Sequence, residues 1–472
     1  MRLRSPLVTI VEELRALLGE RAVLDAEATL DTRSLDTWPL RLVERAIGVP
    51  GTRPLCVVRP RTTGDLAGAL ALLYSRDVGI VPYGGGSGVL GGAMPPAGAT
   101  VIDVGEMSDI VALDERDLFV RAQAGVPLGS LEAHLNTRGL TTGHYPQSIA
   151  VAQLGGLVAT RSSGQFSTKY GGIEDAVLGL EAVLPDGTVT RVSETTWRSG
   201  GPDLRELWIG SEGAFGVISE VTLRVLPTPE RRWLGAFAFP RFALGLEALR
   251  AIMRAGLRPG LLRLYDDVET QRSYAAQVRA GESLLLAIVE GPSEVADAER
   301  DAITRVIGAA ARSLGAAPVE QWLRERNEIT EFNRLIGEGV LVDTIDVLAP
   351  WSRIREVYED SLATLRRMPE LIAASAHASH VYPHGANLYF IVGARPERTA
   401  ADVERVYQAM WSAVMDAVER HGGATSHHHG IGKARAARYA RELGSSYEVL
   451  RRIKRALDPK GLMNPGTLID GR

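Results

Sequence analysis

One cysteine, Cys56, serves the whole chain of 472 residues. That scarcity excludes an internal disulfide framework and any zinc or iron–sulfur site held by cysteine, and it fits a reducing cytoplasm. A basic surplus is also missing. The net charge of −4 offers nothing to a phosphate backbone, so nucleic acid is not an expected partner. Lysine is confined to Lys169, Lys433, Lys454 and Lys460. The preference for arginine reads as the mark of a GC-rich genome and says little about chemistry. No run approaches the ~18–20 apolar residues of a membrane span. The opening MRLRSPLVTIVEELRALLGE places acidic residues inside its apolar stretch, so it reads as an amphipathic helix and not a signal peptide.

What is present is ordinary globular material, 45% hydrophobic and 23% charged, and long enough for two or more domains. Residues 1–50 read as a helical segment. Residues 51–227 alternate short apolar runs with Gly and Pro turns, around a capped helix near Thr63 or Asp65 and a hairpin at PDGT. Pro227-Thr228-Pro229 marks a boundary. Residues 228–425 follow a rhythm that predicts an antiparallel sheet with helices on one side, and residues 426–472 read as a helical tail. The fold class expected is α+β.

Three stretches are rich in glycine and small polar residues: PYGGGSGVLGG (82–92), PQSIAVAQLGGLVATRSSGQFSTKYGGIEDAV (146–177) and WIGSEGAFGVISEV (208–221). The first contains a formal G-x-G-x-x-G at Gly86, Gly88 and Gly91. The dinucleotide fingerprint, however, needs a helix starting inside the loop. Here AMPPAGATVIDV follows, with paired prolines and a strand, so that reading fails. A nest of exposed backbone N–H groups remains, suited to an anion. Three such loops in one domain argue for a large phosphate-bearing ligand held by main chain. A fourth stretch, SHHHGIGKAR (426–435), concentrates three of the nine histidines. It lies inside patterned sequence, so it is not a tag.

Taken in order, PYGGGSG, GHYPQSIAVAQLGGLVATRSSG, KYGGIEDAV, GSEGAFGVISEV, ANLYF and SHHHGIGK resemble the vanillyl-alcohol-oxidase (PCMH-type FAD-binding) family, and within it the alkyldihydroxyacetonephosphate (alkylglycerone-phosphate) synthases. The resemblance runs from about residue 50 to the C-terminus. It implies a PCMH-type FAD-binding domain (51–227), an α/β cap with an antiparallel sheet (228–425), and C-terminal helices returning to the FAD domain. It also implies FAD, with the pyrophosphate on Pro82, Tyr83, Gly84, Gly85, Gly86, Ser87 and Gly88. Further contacts would come from Gln147, Ser148, Ile149, Ala150, Val151, Ala152 and Gln153, from Thr160, Arg161, Ser162 and Ser163, and from Ser211, Glu212, Gly213, Ala214, Phe215, Gly216 and Val217. The pyrophosphate loop has no His or Cys, and His144 alone is a poor anchor, so noncovalent FAD is expected.

The family's 2-hydroxyacid dehydrogenases hold a divalent metal on two histidines and a glutamate. Here His380 matches the first ligand, but Tyr389 stands at the second and His427 or His428 replaces the glutamate. No metal is expected, the more so because neighbouring side chains diverge in regular structure. By the resemblance Tyr389 is the catalytic residue that removes a substrate proton. His427, His428 and His429 would handle protons near the flavin, and Arg334 and Arg263 would bind the substrate anion. The activity implied is exchange of the acyl group of acyl-dihydroxyacetone phosphate for a fatty alcohol through a flavin N5 adduct, a step of ether lipid synthesis. The alternative is oxidation of a 2-hydroxy acid or alcohol, left open by Pro383-His384, where the synthase pattern carries an acidic residue. The expected partner is a small-molecule or lipid-like substrate. The resemblance leaves room for peripheral membrane contact and for a homodimer.

Overall fold

A computed structural model describes residues 6–194 and 199–469. The first five residues of the expected N-terminal helix and the last three of the tail lie outside the described residues. Helix Pro6–Leu18 is followed by the shorter Glu27–Thr32 and Pro39–Ala46. The expected capped helix spans Thr63–Ser75. Its cap is Thr62, one residue earlier than read, in a reciprocal capping box with Asp65.

The first half builds two larger sheets, beside a short antiparallel pairing of Leu140–Thr141 with Leu226–Pro227. Strands Val57–Val58, Thr100–Asp103 and Ile80–Tyr83 run parallel, with Val23–Leu24 antiparallel at the edge. Five antiparallel strands follow in the order Ile110–Asp114, Phe119–Gln123, Val217–Arg224, Val177–Val183, Val189–Val192. The PDGT hairpin joins the last two, closed by Leu184 N–H to the Thr188 carbonyl at 2.9 Å. No helix follows the 82–92 loop, as the sequence requires. The next element is the strand Thr100–Asp103. Helices Leu154–Ala159, Ser167–Tyr170 and Ile173–Ala176 punctuate the long 146–177 stretch.

The second half centres on a seven-stranded antiparallel sheet. Its order is Arg312–Gly315, Arg231–Phe239, Ser283–Gly291, Leu261–Tyr265, Leu371–Val381, Gly385–Ala394, Leu341–Pro350. Helices Phe242–Arg254, Ser293–Ile307, Ile354–Leu365 and Ala400–His421 bury one face through Leu249, Ile252, Leu362 and Val414. The expectation of helices on one side is too simple. Strand Ser283–Gly291 is buried at every position, so both its faces need cover. Helices Asp267–Tyr274 and Ala317–Glu325 supply it by packing Tyr274 and Trp322 on Leu284, Leu286 and Ile288.

The tail, Ala436–Leu443 and Ser445–Leu457, packs back on the first half. Buried Lys454 fixes it there, donating from Nζ to the carbonyls of Ala214 (2.7 Å) and Met463 (2.8 Å) and pairing with Asp458 (2.7 Å). Met463 bridges Ile80. Among the described residues no helix is long and apolar enough to cross a membrane.

Candidate active site

Strand Gly385–Ala394 alternates as read. Leu388, Phe390 and Val392 are fully buried against the helices, while Tyr389 and Ile391 face a cavity of about 810 Å³. Register then assembles a row. Tyr389 pairs with Asp346 on one neighbouring strand and with His377 on the other, and His377 pairs with Tyr265 beyond it. Four strands thus place Tyr265, His377, Tyr389 and Asp346 side by side on one face.

Asp346 is wholly buried and organises the histidine loop. Its Oδ2 accepts the backbone N–H groups of His427 (2.8 Å), His428 (2.7 Å) and His429 (3.2 Å), and its Oδ1 takes Arg435 Nη2 at 2.6 Å. Burial pushes the Asp346 carboxyl up, but Arg435, His429 and His428 overcome it and hold it well below the usual range. His429 Nδ1 lies 3.0 Å from Asp346 Oδ1, off-axis for a hydrogen bond, and its Nε2 lies 3.5 Å from the Tyr389 hydroxyl. The row therefore contains a Tyr–His–Asp line.

The other two histidines behave differently. His427 Nδ1 meets His428 Nδ1 at 2.8 Å, and His427 Nε2 meets the Tyr382 hydroxyl at 2.8 Å. His380, at φ +50 on a bulge, lies tilted against both rings and bonds Ser167 Oγ through Nδ1 at 2.6 Å. The expected divergence of adjacent histidines fails here. Nitrogen atoms of His380, His427 and His428 lie within 4.8 Å of one another, because one carboxylate oxygen gathers the loop's N–H groups and fans the side chains outward. Both His427 nitrogens are nevertheless already hydrogen-bonded, which leaves that ring no lone pair to spare. Burial lowers His427 to about 4 and His428 well below the imidazole range, so these rings are neutral.

The cavity's opposite wall is the set of glycine-rich loops. Pro82, Tyr83, Gly84, Gly85, Gly86, Ser87 and Gly88 all line it, with Gln147, Ser148, Ala150, Val151, Ala152, Gln153, Thr160, Ser162, Ser163, Ser211, Glu212, Gly213, Gly216 and Val217. The fit to a pyrophosphate is physical. The backbone N–H groups of residues 84–88 find no acceptor among the described residues. A Cβ at Gly85 would run into the Val151 carbonyl, and at Gly213, where φ is +74, it would come within 2.7 Å of Pro82. Glu212 ties this wall to the histidine loop by accepting the N–H groups of Ile431 (2.6 Å) and Gly432 (2.7 Å).

Several expected contacts lie elsewhere. Ala214 and Phe215 are buried in the hydrophobic core, and Ile149 packs against it. Arg161 points outward to Glu206. His427 sits behind the cavity wall. Arg334 is the clearest correction. On helix Thr330–Gly337 the 3.6-residue period turns Phe332, Asn333 and Ile336 to the cavity, and sends Arg334 outward to Glu331 and Glu338. Arg263 does line the cavity, with Nε 2.8 Å from the Tyr265 hydroxyl. A second cavity arginine escaped the sequence reading. Arg326 sits among the rings of Tyr145, Phe166 and Trp322, 5.5–5.9 Å from their centroids, and donates to Gln165 Oε1 at 2.7 Å. The only signal for it was its place just before an apolar helix face. Asp346 was missed because its strand pairs with that of Tyr389 across a long stretch of chain, and His377 because a register shift between Ser379 and Val381 hides which hairpin residue faces Tyr389. Pro383 and His384 form an exposed hairpin turn outside the cavity.

A nucleotide-sized cradle of backbone N–H groups beside an acid–base row fits an enzyme that carries a phosphate-bearing cofactor. Two family descriptions divide the chain accordingly, "FAD binding domain" over residues 54–193 and "FAD linked oxidases, C-terminal domain" over residues 228–468. The chain belongs to the FAD-linked oxidases, and FAD is its cofactor. It is 34% identical to the Escherichia coli K12 FAD-linked oxidoreductase YgcU, over 97% of this chain and 98% of that protein. Alkyldihydroxyacetonephosphate synthase of Dictyostelium discoideum is 29% identical over 97% of this chain and 80% of its own length. A solved structure of an alkyldihydroxyacetonephosphate synthase matches with a TM-score of 0.83 at 26% identity, over 98% of this chain and 86% of that one. The α+β architecture, with a PCMH-type FAD-binding domain and an antiparallel sheet, agrees with the sequence reading.

Proposed function

We propose that this enzyme works as an alkylglycerone-phosphate synthase does, exchanging the acyl group of acyl-dihydroxyacetone phosphate for a fatty alcohol. The observation that carries the reading is the line Asp346–His429–Tyr389 opening on the FAD cradle. The domain division at residues 1–50, 51–227, 228–425 and 426–472 is part of the same proposal, since each part contributes residues to the lining of the cavity. Bound FAD supplies an electrophilic ring able to hold or accept an electron pair. The rest is done by side chains. Burial raises the Tyr389 phenol above its ordinary range, so it stays neutral at physiological pH. It therefore removes the acidic C–H proton beside the ketone only by passing its own proton to His429 in the same motion, with Asp346 stabilising the imidazolium formed. Arg263 and Arg326 replace Arg334 as the anion clamp. Phe332, Ile336 and half-exposed Ile329 give the cavity an apolar mouth for the chains.

Palmitoyl-dihydroxyacetone phosphate and hexadecanol test this. The FAD-loaded enzyme should yield hexadecyl ether and free palmitate with its flavin spectrum unchanged at completion. If ether is absent and a hydroxy acid such as D-lactate bleaches the flavin anaerobically, dehydrogenation replaces exchange.

A further inference from the structure

Tyr389 has a neighbour on its other side that this scheme leaves unused. His377 stacks on the Tyr389 ring, with centroids 4.9 Å apart and planes 20° apart, and Tyr265 meets it edge-on at 5.5 Å. Behind it, Glu269 on helix Asp267–Tyr274 reaches Nδ1 with both oxygens, at 3.0 and 3.2 Å. No described residue bonds Nε2, and the ring lines the cavity. A carboxylate that receives Nδ1–H fixes the tautomer and leaves the Nε2 lone pair free to accept a proton.

We propose that His377 accepts the hydroxyl proton of the alcohol that enters the cavity, with Glu269 holding Nδ1–H so that Nε2 meets the substrate. The proposal takes its substrate from the exchange reading and its base from the geometry of the row. Exchange has two separate proton demands. The C–H proton is held on the Tyr389–His429 line and returned to carbon at the end. The fatty acid leaves as a carboxylate, taking the electron pair of its C–O bond. The alcohol oxygen then forms the new C–O bond with its own pair while its O–H bond breaks. That last proton needs an acceptor other than the occupied line. His377 supplies it and releases the proton to solvent, so the turnover balances with one proton set free and no net redox change.

The charges around the ring fit this role. Burial, with the positive charge of Arg263, lowers His377 to about 4, so it stands neutral and ready to accept. Burial alone would raise Glu269, but His377, Arg263 and Arg272 overcome it and keep the carboxyl ionised. Arg263 Nη2 approaches Nδ1 at 3.5 Å, and Tyr265 and Tyr389 complete the facing groups on the sheet. Oxidation of a hydroxy acid would make the same demand, because a hydroxyl must again lose its proton.

The test uses His377→Gln and Glu269→Gln in the full FAD-loaded enzyme. With palmitoyl-dihydroxyacetone phosphate alone, His377→Gln should still release its first equivalent of palmitate. With hexadecanol added, ether formation should fall about 10²–10⁴-fold, and Glu269→Gln should fall in the same direction. Equal loss of both half-reactions, or loss of neither, overturns the proposal. A wild type that releases no palmitate sinks the exchange reading, and a second measurement then decides about His377. Its ¹⁵N side-chain resonances, assigned by their disappearance in His377→Gln, should show a neutral ring protonated at Nδ1 at pH 7. An imidazolium, or a ring protonated at Nε2, rejects the base whatever the substrate.

Discussion

Replacing Asp346 by asparagine should unfold this protein far more readily than its single-atom change suggests. Arg435, its partner at 2.6 Å, is as fully buried as Asp346 and lies 4.9 Å over the Trp411 ring. In Asp346→Asn the guanidinium would keep the Gly430 and Asp346 carbonyls at 3.1 Å but lose its counter-charge, and the new amide could give its oxygen to only one side, turning its NH2 donor to donor against either the guanidinium or the loop N–H groups. Breaking a buried pair from one side costs ~3–5 kcal/mol. The three loop N–H groups lose a charged acceptor as well, which adds about 1 kcal/mol. The total, ~5 kcal/mol, is comparable to the whole ~5–15 kcal/mol stability of a typical domain. Urea unfolding followed by far-UV circular dichroism should show a markedly lower midpoint. The second substitution gives the sharper test. Asp346→Asn with Arg435→Met removes the stranded charge and should recover much of the loss, though not activity. Because the folded carboxyl lies below its unfolded value, its contribution is complete above about pH 4 and fades as pH falls further. The deficit of Asp346→Asn should therefore be flat from pH 6 to 8 and shrink in acid. A loss under ~1 kcal/mol, or a double variant no steadier than the single, would refute the account of Asp346 as the loop's organiser.

Tyr389→Phe should lower turnover about 10²–10⁴-fold while FAD stays bound. Because burial raises the phenol, the wild type should show no activity limb from tyrosine ionisation below about pH 10, so a limb there that the variant lacks would show that Tyr389 acts as a tyrosinate instead. Arg326→Ala should raise KM for acyl-dihydroxyacetone phosphate about tenfold or more, whereas Arg334→Ala should leave it unchanged, and the reverse order would return the anion site to helix Thr330–Gly337. Acid precipitation should leave yellow flavin in the supernatant, since His144 lies outside the cavity wall and Cys56 is in the core. Exhaustive chelation should leave turnover intact, and rescue by zinc or manganese after a loss would show that His380, His427 and His428 exchange their hydrogen bonds for an ion.

How far the sequence could be read followed the range of the forces involved. The flavin loops were legible because close backbone approach demands glycine locally, as at Gly85 and Gly213. Tyr389 was legible because strand alternation is a two-residue property. Arg334 misled because a cationic residue near an apolar helix says nothing of its angular position until the helix docks. Asp346 and His377 were beyond reach for another reason. Asp346 becomes a neighbour of Tyr389 only when its distant strand settles in register, His377 only once the shift at Ser379 and Val381 sets the hairpin's pairing, and each looks like any acid or imidazole until then.

The anchorage of the tail sets an order on how this enzyme comes into being. Lys454, Met463 and Asn464 close the cradle opened at residues 80–92, with Asn464 Nδ2 bonding the carbonyls of Gly92 (2.8 Å) and Glu212 (2.6 Å). A ribosome must have passed Asn464 before those contacts can exist. The nascent first half should therefore wait without cofactor, and flavin capture should follow synthesis of the clasp. A chain shortened before Lys454 would lack this clasp and should remain colourless, which makes the yellow colour a report that the clasp has been made.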